Sequence, residues 1–249
     1  MTASQPSALQ VKPRVINDDL ATELLKIIDN PTEPEELRAE AAILLGPALE
    51  YHETSDEDDD IDEPPLSKPT VASIGETLFR VYQQQDAPKL VRRRILEASV
   101  RSHQDWHAAA VTEAYNNGDE DWRLTAVFCM QHVPGFDKQI LESIENRNSD
   151  IRCEAVAAAG QFSIRAAWPR IEAILKDRRA PLALVMAAIG AAGYVNAEEA
   201  CPLLAELTDS PNEQIAEAAE EALMEVDATP FDDEDDFDLE DDEDDDKPF

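Results

Sequence analysis

Apolar residues recur along this chain at helical spacing, in short stretches that come in pairs with turn-forming residues between them. Leu20, Leu24, Leu25 and Ile28 make one stripe, and after Asn30, Pro31 and Pro34 a second is made by Leu37, Ala41, Leu44 and Leu45. The alternation continues with Ile74, Leu78 and Val81, then Ile140, Leu141 and Ile144, then Ile171, Ile174 and Leu175, and finally Leu203, Leu204 and Leu207, each with a second stretch after it. The pattern predicts helices beginning at Asp18 or Asp19, either of which could cap the first, and then over 35–51, 70–84, 87–101, 105–117 and 119–132. Further helices are predicted over 136–145, 150–162, 166–176, 181–193, 197–208 and 211–226, with Pro134 and Gly135 closing the third pair.

The second stretches repeat one another. Residues 150–160, DIRCEAVAAAG, show the form: an apolar residue, Arg, two variable residues, then small apolar residues. Leu37, Val91, Trp122, Ile151, Leu182 and Ile215 occupy its first apolar position, at separations of 54, 31, 29, 31 and 33 residues. The period is about 31, and the long first gap carries an insertion. A two-helix unit of this length cannot bury both apolar stripes alone, so neighbours must cover each other. The expected fold is all-α, a right-handed solenoid of about six two-helix repeats over residues 18–226. Residues 1–17 form an arm, 52–69 an acidic disordered insertion between repeats one and two, and 227–249 an acidic disordered tail.

These second helices resemble those of HEAT repeats, in the short form found in bacterial proteins. In that family a turn Asp or Asn stands six residues before a helix Arg. Asp86 and Arg92, Asn117 and Arg123, and Asn146 and Arg152 keep the spacing. Repeat five keeps Asp177 but has Ala183 where the Arg would stand, repeat six has Asp209 and Ala216, and repeat one has Arg38 with Thr32. The resemblance implies a structural ladder in which the turn residue accepts backbone N–H groups and the arginines bond to neighbouring turns. It also implies two enzymatic readings: bilin lyases, and DNA glycosylases that hold the duplex on a cationic concave face.

Charge narrows the choice. The net charge is -34 and the pI about 4.2. Residues 53–63 hold eight acidic side chains, and thirteen more lie between Asp232 and Asp246. Nucleic acid is held mainly by Lys and Arg that displace counterions, so the expected partner is a protein client, with a basic one favoured, and no nucleic acid. No stretch is long and apolar enough to span a membrane, and Cys129, Cys153 and Cys201 lack any paired spacing, which together suggest a monomeric cytoplasmic protein. His103 and His107 stand four apart, but Asp105 reads as a helix cap that leaves His103 outside, so neither metal nor cofactor is expected.

The candidate site follows from the solenoid. Second helices line the concave face, and the positions after each Arg and four further on point away from the core. They read Ala39 and Ile43, Arg93 and Glu97, Leu124 and Phe128, Cys153 and Ala157, Leu184 and Ala188, and Glu217 and Glu221. Arg93, Arg94, Leu124, Phe128, Cys153, Leu184 and Ala188 are therefore the expected groove, apolar in its middle and charged at its ends. The expected function is a non-catalytic scaffold or assembly chaperone that grips a protein segment there. The alternative is capture of basic clients by the acidic segments, in the manner of a histone chaperone or nucleic-acid mimic. Phe231, Phe237 and Phe249 are expected anchors within the tail.

Overall fold

The computed structural model describes residues 15–54, 65–116 and 119–228, and every regular element among them is helical. The helices are α1 (Asp18–Asp29), α2 (Glu35–Thr54), α3 (Lys68–Gln83), α4 (Lys89–Ser99), α5 (His107–Asn116) and α6 (Glu120–Cys129). They continue as α7 (Asp137–Ile144), α8 (Ser149–Gln161), α9 (Trp168–Lys176), α10 (Leu182–Leu207) and α11 (Glu213–Ala228). Asn196, at φ -160° and ψ 83°, breaks α10 into the second helix of repeat five and the first of repeat six. Its side chain then caps the new segment, accepting from the Glu199 N–H while donating to the Glu199 carboxylate.

Within each repeat the two helices pack as a pair, and the second helices also pack in sequence, α2 on α4, α4 on α6, α6 on α8, α8 on α10 and α10 on α11. Among the first helices α1 and α3 pack on each other and Trp168 of α9 donates its Nε1–H to Glu199 in the first helix of repeat six at 2.8 Å, whereas α3 and α5, α5 and α7, and α7 and α9 touch little. A stack held tight on one column and open on the other must curve, so the second helices form the inner, concave column. The core between the columns is continuous. It is filled by Leu24, Ile28, Leu78, Ile95, Ile151 and Ile171, each contributing about 1.5–3 kcal/mol on burial.

Glycine sets how closely the inner column packs. A Cβ on Gly160 would lie 2.9 Å from both the Cα and the Cβ of Ala191, and one on Gly193 would strike the Val226 side chain. Gly160 stands one residue from the end of α8, as expected, and both glycines sit where the next second helix crosses, while α10 runs on past the expected end at Gly193 to its break at Asn196.

Several local expectations are corrected. Asn17 caps α1, its Oδ1 accepting from the Leu20 N–H at 3.0 Å. Asp18 is freed to accept from the Ser67 N–H at 2.8 Å, which ties repeat one to the start of α3 and lowers the Asp18 pKa. Helix α2 continues through Thr54, α3 begins at Lys68 and Leu66 is fully buried, so both ends of the segment taken as insertion belong to the fold. Ile16 is buried too, so the folded part begins inside the expected arm. Asp105 precedes α5 without capping it among the described contacts, and the helix starts at His107. Residues 55–64 and 229–249, with the bulk of the acidic runs and the anchors Phe231, Phe237 and Phe249, lie outside the described residues, as does Asn117.

Candidate protein-binding face

The arginine ladder works within each repeat. The Nε of Arg38 donates to the Ile28 carbonyl at 2.9 Å, that of Arg92 to Tyr82 at 2.9 Å, and that of Arg152 to Ile144 at 3.1 Å. Each accepting carbonyl is in the last turn of the preceding helix, where no intrahelical partner remains. The expected bonds between arginines and neighbouring turns are absent from this set; what crosses to the next repeat is Arg92, whose guanidinium lies 5.6 Å from the Trp122 ring. Arg123 sits over Tyr115 at 5.4 Å, and its buried Nε has no hydrogen-bond partner among the described residues.

The turn acceptors explain the register. Asn146 accepts from the Asn148 N–H and Asp177 from the Arg179 N–H, both at 2.9 Å, as the ladder requires. In repeat one the acceptor is Asn30, not Thr32, and it stands eight residues before Arg38. Asp86 is exposed and accepts no hydrogen bond among the described residues. Repeat five has the longer turn as well, since the fully buried Leu184 and Ala188 take the places of Ile151 and Ala155, 33 residues on. Leu184 and Ala188 are therefore core, at 0% exposure, and leave the proposed groove. The two extra turn residues also leave Leu182, expected as the buried anchor, 39% exposed.

With the register corrected, Met186 and Gly190 stand in the groove beside Cys153 and Ala157. Leu124, Phe128, Cys153, Ala157 and Met186 are half-buried, and Gly190 and Tyr194 are exposed. Of these, Ala157, Gly190 and Tyr194 line a cavity of about 480 Å³ between α8 and α10, with Gln131, Gly160, Gln161, Ala187 and Ala191. Sequence reasoning missed this opening, although Gly160 and Gly193, one repeat apart, carried the 33-residue spacing that would have located it.

Arg93 and Arg94 are committed internally. Arg93 is only 8% exposed; its Nε donates to Thr125 Oγ1 at 2.9 Å, and the Thr125 hydroxyl donates to Glu97 Oε1 at 2.5 Å. Arg94 pairs with the other Glu97 oxygen. Arg101 pairs with Glu50 and lies 5.6 Å from the Phe128 ring, which in turn packs against His132. Burial, aided by Arg101, lowers the His132 pKa. Farther along, Gln131 donates to Glu154 at 2.6 Å, yet burial still raises the Glu154 carboxyl above its usual range. At the far end Glu217 and Glu221 are exposed and Tyr194 donates to Glu225 at 3.2 Å. The face thus runs from internally neutralised charge, through small apolar surface, to an acidic end on α11.

Burial raises the thiols of Cys129 and Cys153. His107 is buried at 1% exposure, with neither ring nitrogen hydrogen-bonded among the described residues, while His103 is exposed. Among the described residues no three His, Cys, Asp or Glu side chains are grouped to hold a metal ion, and no helix is long and apolar enough to cross a membrane.

Residues 138–224, about a third of the chain, match the family described as HEAT repeats, and the described residues form an all-α solenoid of paired helices that is similar to that family. No curated protein matches the sequence. Among solved structures, human deoxyhypusine hydroxylase in complex with glycerol aligns at 14% identity over 85% of this chain and 97% of that one, with a TM-score of 0.39. Escherichia coli YibA aligns at 15% identity over 84% and 93%, with a TM-score of 0.33. Likeness at that level carries no inference about activity. The repeat fold is consistent with a protein-interaction scaffold in general.

Proposed function

We propose that this HEAT-repeat-like solenoid is a non-catalytic cytoplasmic scaffold that holds a segment of a client protein along its concave face. The observation that carries the reading is the opening between α8 and α10, walled by Ala157, Gly160, Ala187, Gly190 and Ala191, whose Tyr194 donates to Glu225 of the acidic helix α11. An occupant with apolar residues on one side and basic residues towards α11 would complement it, as amphipathic segments do in other grooves. Leu124, Phe128 and Met186 supply apolar contact, and Tyr194 supplies a ring with a polar tip. The acidic composition favours a second mode, capture of basic clients by charge alone, which salt separates from the first because screened attraction fades while apolar contact persists.

A photo-reactive amino acid at position 190 should cross-link a client that the same group at Ala173, an exposed position on α9, does not. The cross-link should survive high salt. Equal capture from both positions, or capture lost on adding salt, would favour the charge-driven mode.

A further inference from the structure

We propose that residues 229–249 of this chain dock in cis on the turn edge of repeats five and six, with Phe237 in the cavity there and its flanking aspartates on Arg178 and Arg179. This site is separate from the concave face, and the inference stands without the client-binding reading. The cavity measures about 690 Å³ and is lined on its apolar side by Leu182, Val185, Leu203, Leu207 and Ile215, with Arg178 at its rim. Leu182 is the aliphatic side chain that the longer turn of repeat five leaves out of the stack. Arg178 and Arg179 are exposed, and neither forms an ion pair among the described residues. Lys89, Arg93, Arg94, Arg101 and Arg170 reach carboxylates, whereas exposed Arg147 and Arg165, like Arg178 and Arg179, form no ion pair among the described residues; of these Arg178 and Arg179 are the adjacent pair, with Arg178 lining the cavity.

The local acids set the orientation. The Asp177 carboxylate is occupied by the Arg179 N–H of its own turn, while Glu206 and Asp209 line the cavity with the residues of repeat six. An acidic segment must therefore lie towards the arginines and send only an apolar side chain inward. Residues 231–239, FDDEDDFDL, have that chemistry.

Reach selects among the phenylalanines. Ile215 lines the cavity and Ala228, where α11 ends, lies 13 helical residues farther on, about 20 Å away. Phe231 is three residues beyond Ala228 and can span only about 10 Å, whereas Phe237, nine residues beyond, can span about 30 Å. Phe249 also reaches, but Lys247 and Pro248 precede it where Phe237 has Asp236 and Asp238. Tethering holds the segment at an effective concentration on the order of millimolar, so weak docking suffices to keep acidic partners off this edge.

The test compares methyl NMR spectra of the full chain, of Phe237→Ser and of Phe231→Ser. Phe237→Ser should move the methyl signals of Leu182, Leu203, Leu207 and Ile215, Phe231→Ser should leave them in place, and about 0.5 M salt should reproduce the Phe237→Ser pattern in the unaltered chain. Unmoved methyl signals in Phe237→Ser, or equal movement in both variants, would overturn the proposal. So would shifts that grow with protein concentration, because a second copy would then be the occupant.

Discussion

Between repeats two and three, α4 meets α6 through Arg93, Glu97 and Thr125, all buried and hydrogen-bonded to one another. Between repeats four and five, α8 meets α10 through small residues, with Gly160 against Ala191 and Ala158, Ala159, Ala188 and Ala192 buried around them. The first junction is directional, because its donors and acceptors have partners in only one register. The second fixes separation alone, and shape complementarity at the backbone must supply the register.

The two chemistries should break differently. Glu97→Ala removes the acceptor shared by Thr125 and Arg94 and leaves Arg93 partly uncompensated, and breaking a buried ionic network in this way costs about 3 kcal/mol. Thermal unfolding should show that loss.

A comparable loss should come from acid at the neighbouring repeat. Burial lowers the His107 pKa to about 4, against 6.5 in the unfolded chain. Above pH 6.5 the ring is neutral in both states and has no effect. As the pH falls from 6.5 to about 4 the unfolded chain takes up the proton first, so stability declines by up to about 3 kcal/mol. His107→Leu should flatten unfolding free energy across that window, and an unchanged slope would remove His107 as the cause.

Gly160→Ala tests the other junction. The new methyl meets the Ala191 backbone, so the variant should lose about 1–3 kcal/mol despite alanine's better helix propensity. Smallest of all, Lys89→Met removes surface ion pairs to Asp119 and Asp121 at 2.5 and 2.7 Å and should leave the melting temperature nearly unchanged, because exposed pairs are screened by solvent. A larger cost for Lys89→Met than for Glu97→Ala would reverse the account of the polar junction.

The sequence made the helix pairs and their stacking legible, because apolar spacing and small-residue runs are local signals. The carbonyls that Arg38, Arg92 and Arg152 reach were not legible, since a carbonyl at the end of a helix leaves no mark in composition. The polar junction was hidden because Arg93 and Glu97 read as surface charge until Thr125, about 30 residues away, is placed against them. The groove was misplaced in repeat five for a different reason. Two additional turn residues shift the helix by more than half a turn, carrying Leu184 and Ala188 into the core and Leu182 out of it.

The central claim is that Gly190 faces an open, client-holding groove, and Gly190→Gln tests it most directly. No atom lies within 4 Å of a Cβ built there, so the larger side chain fills the opening without strain and gains helix propensity of up to about 1 kcal/mol. The variant should melt no lower than the unaltered chain yet fail to retain clients that Ala173→Gln still binds. Clients retained by Gly190→Gln at undiminished affinity would contradict the claim.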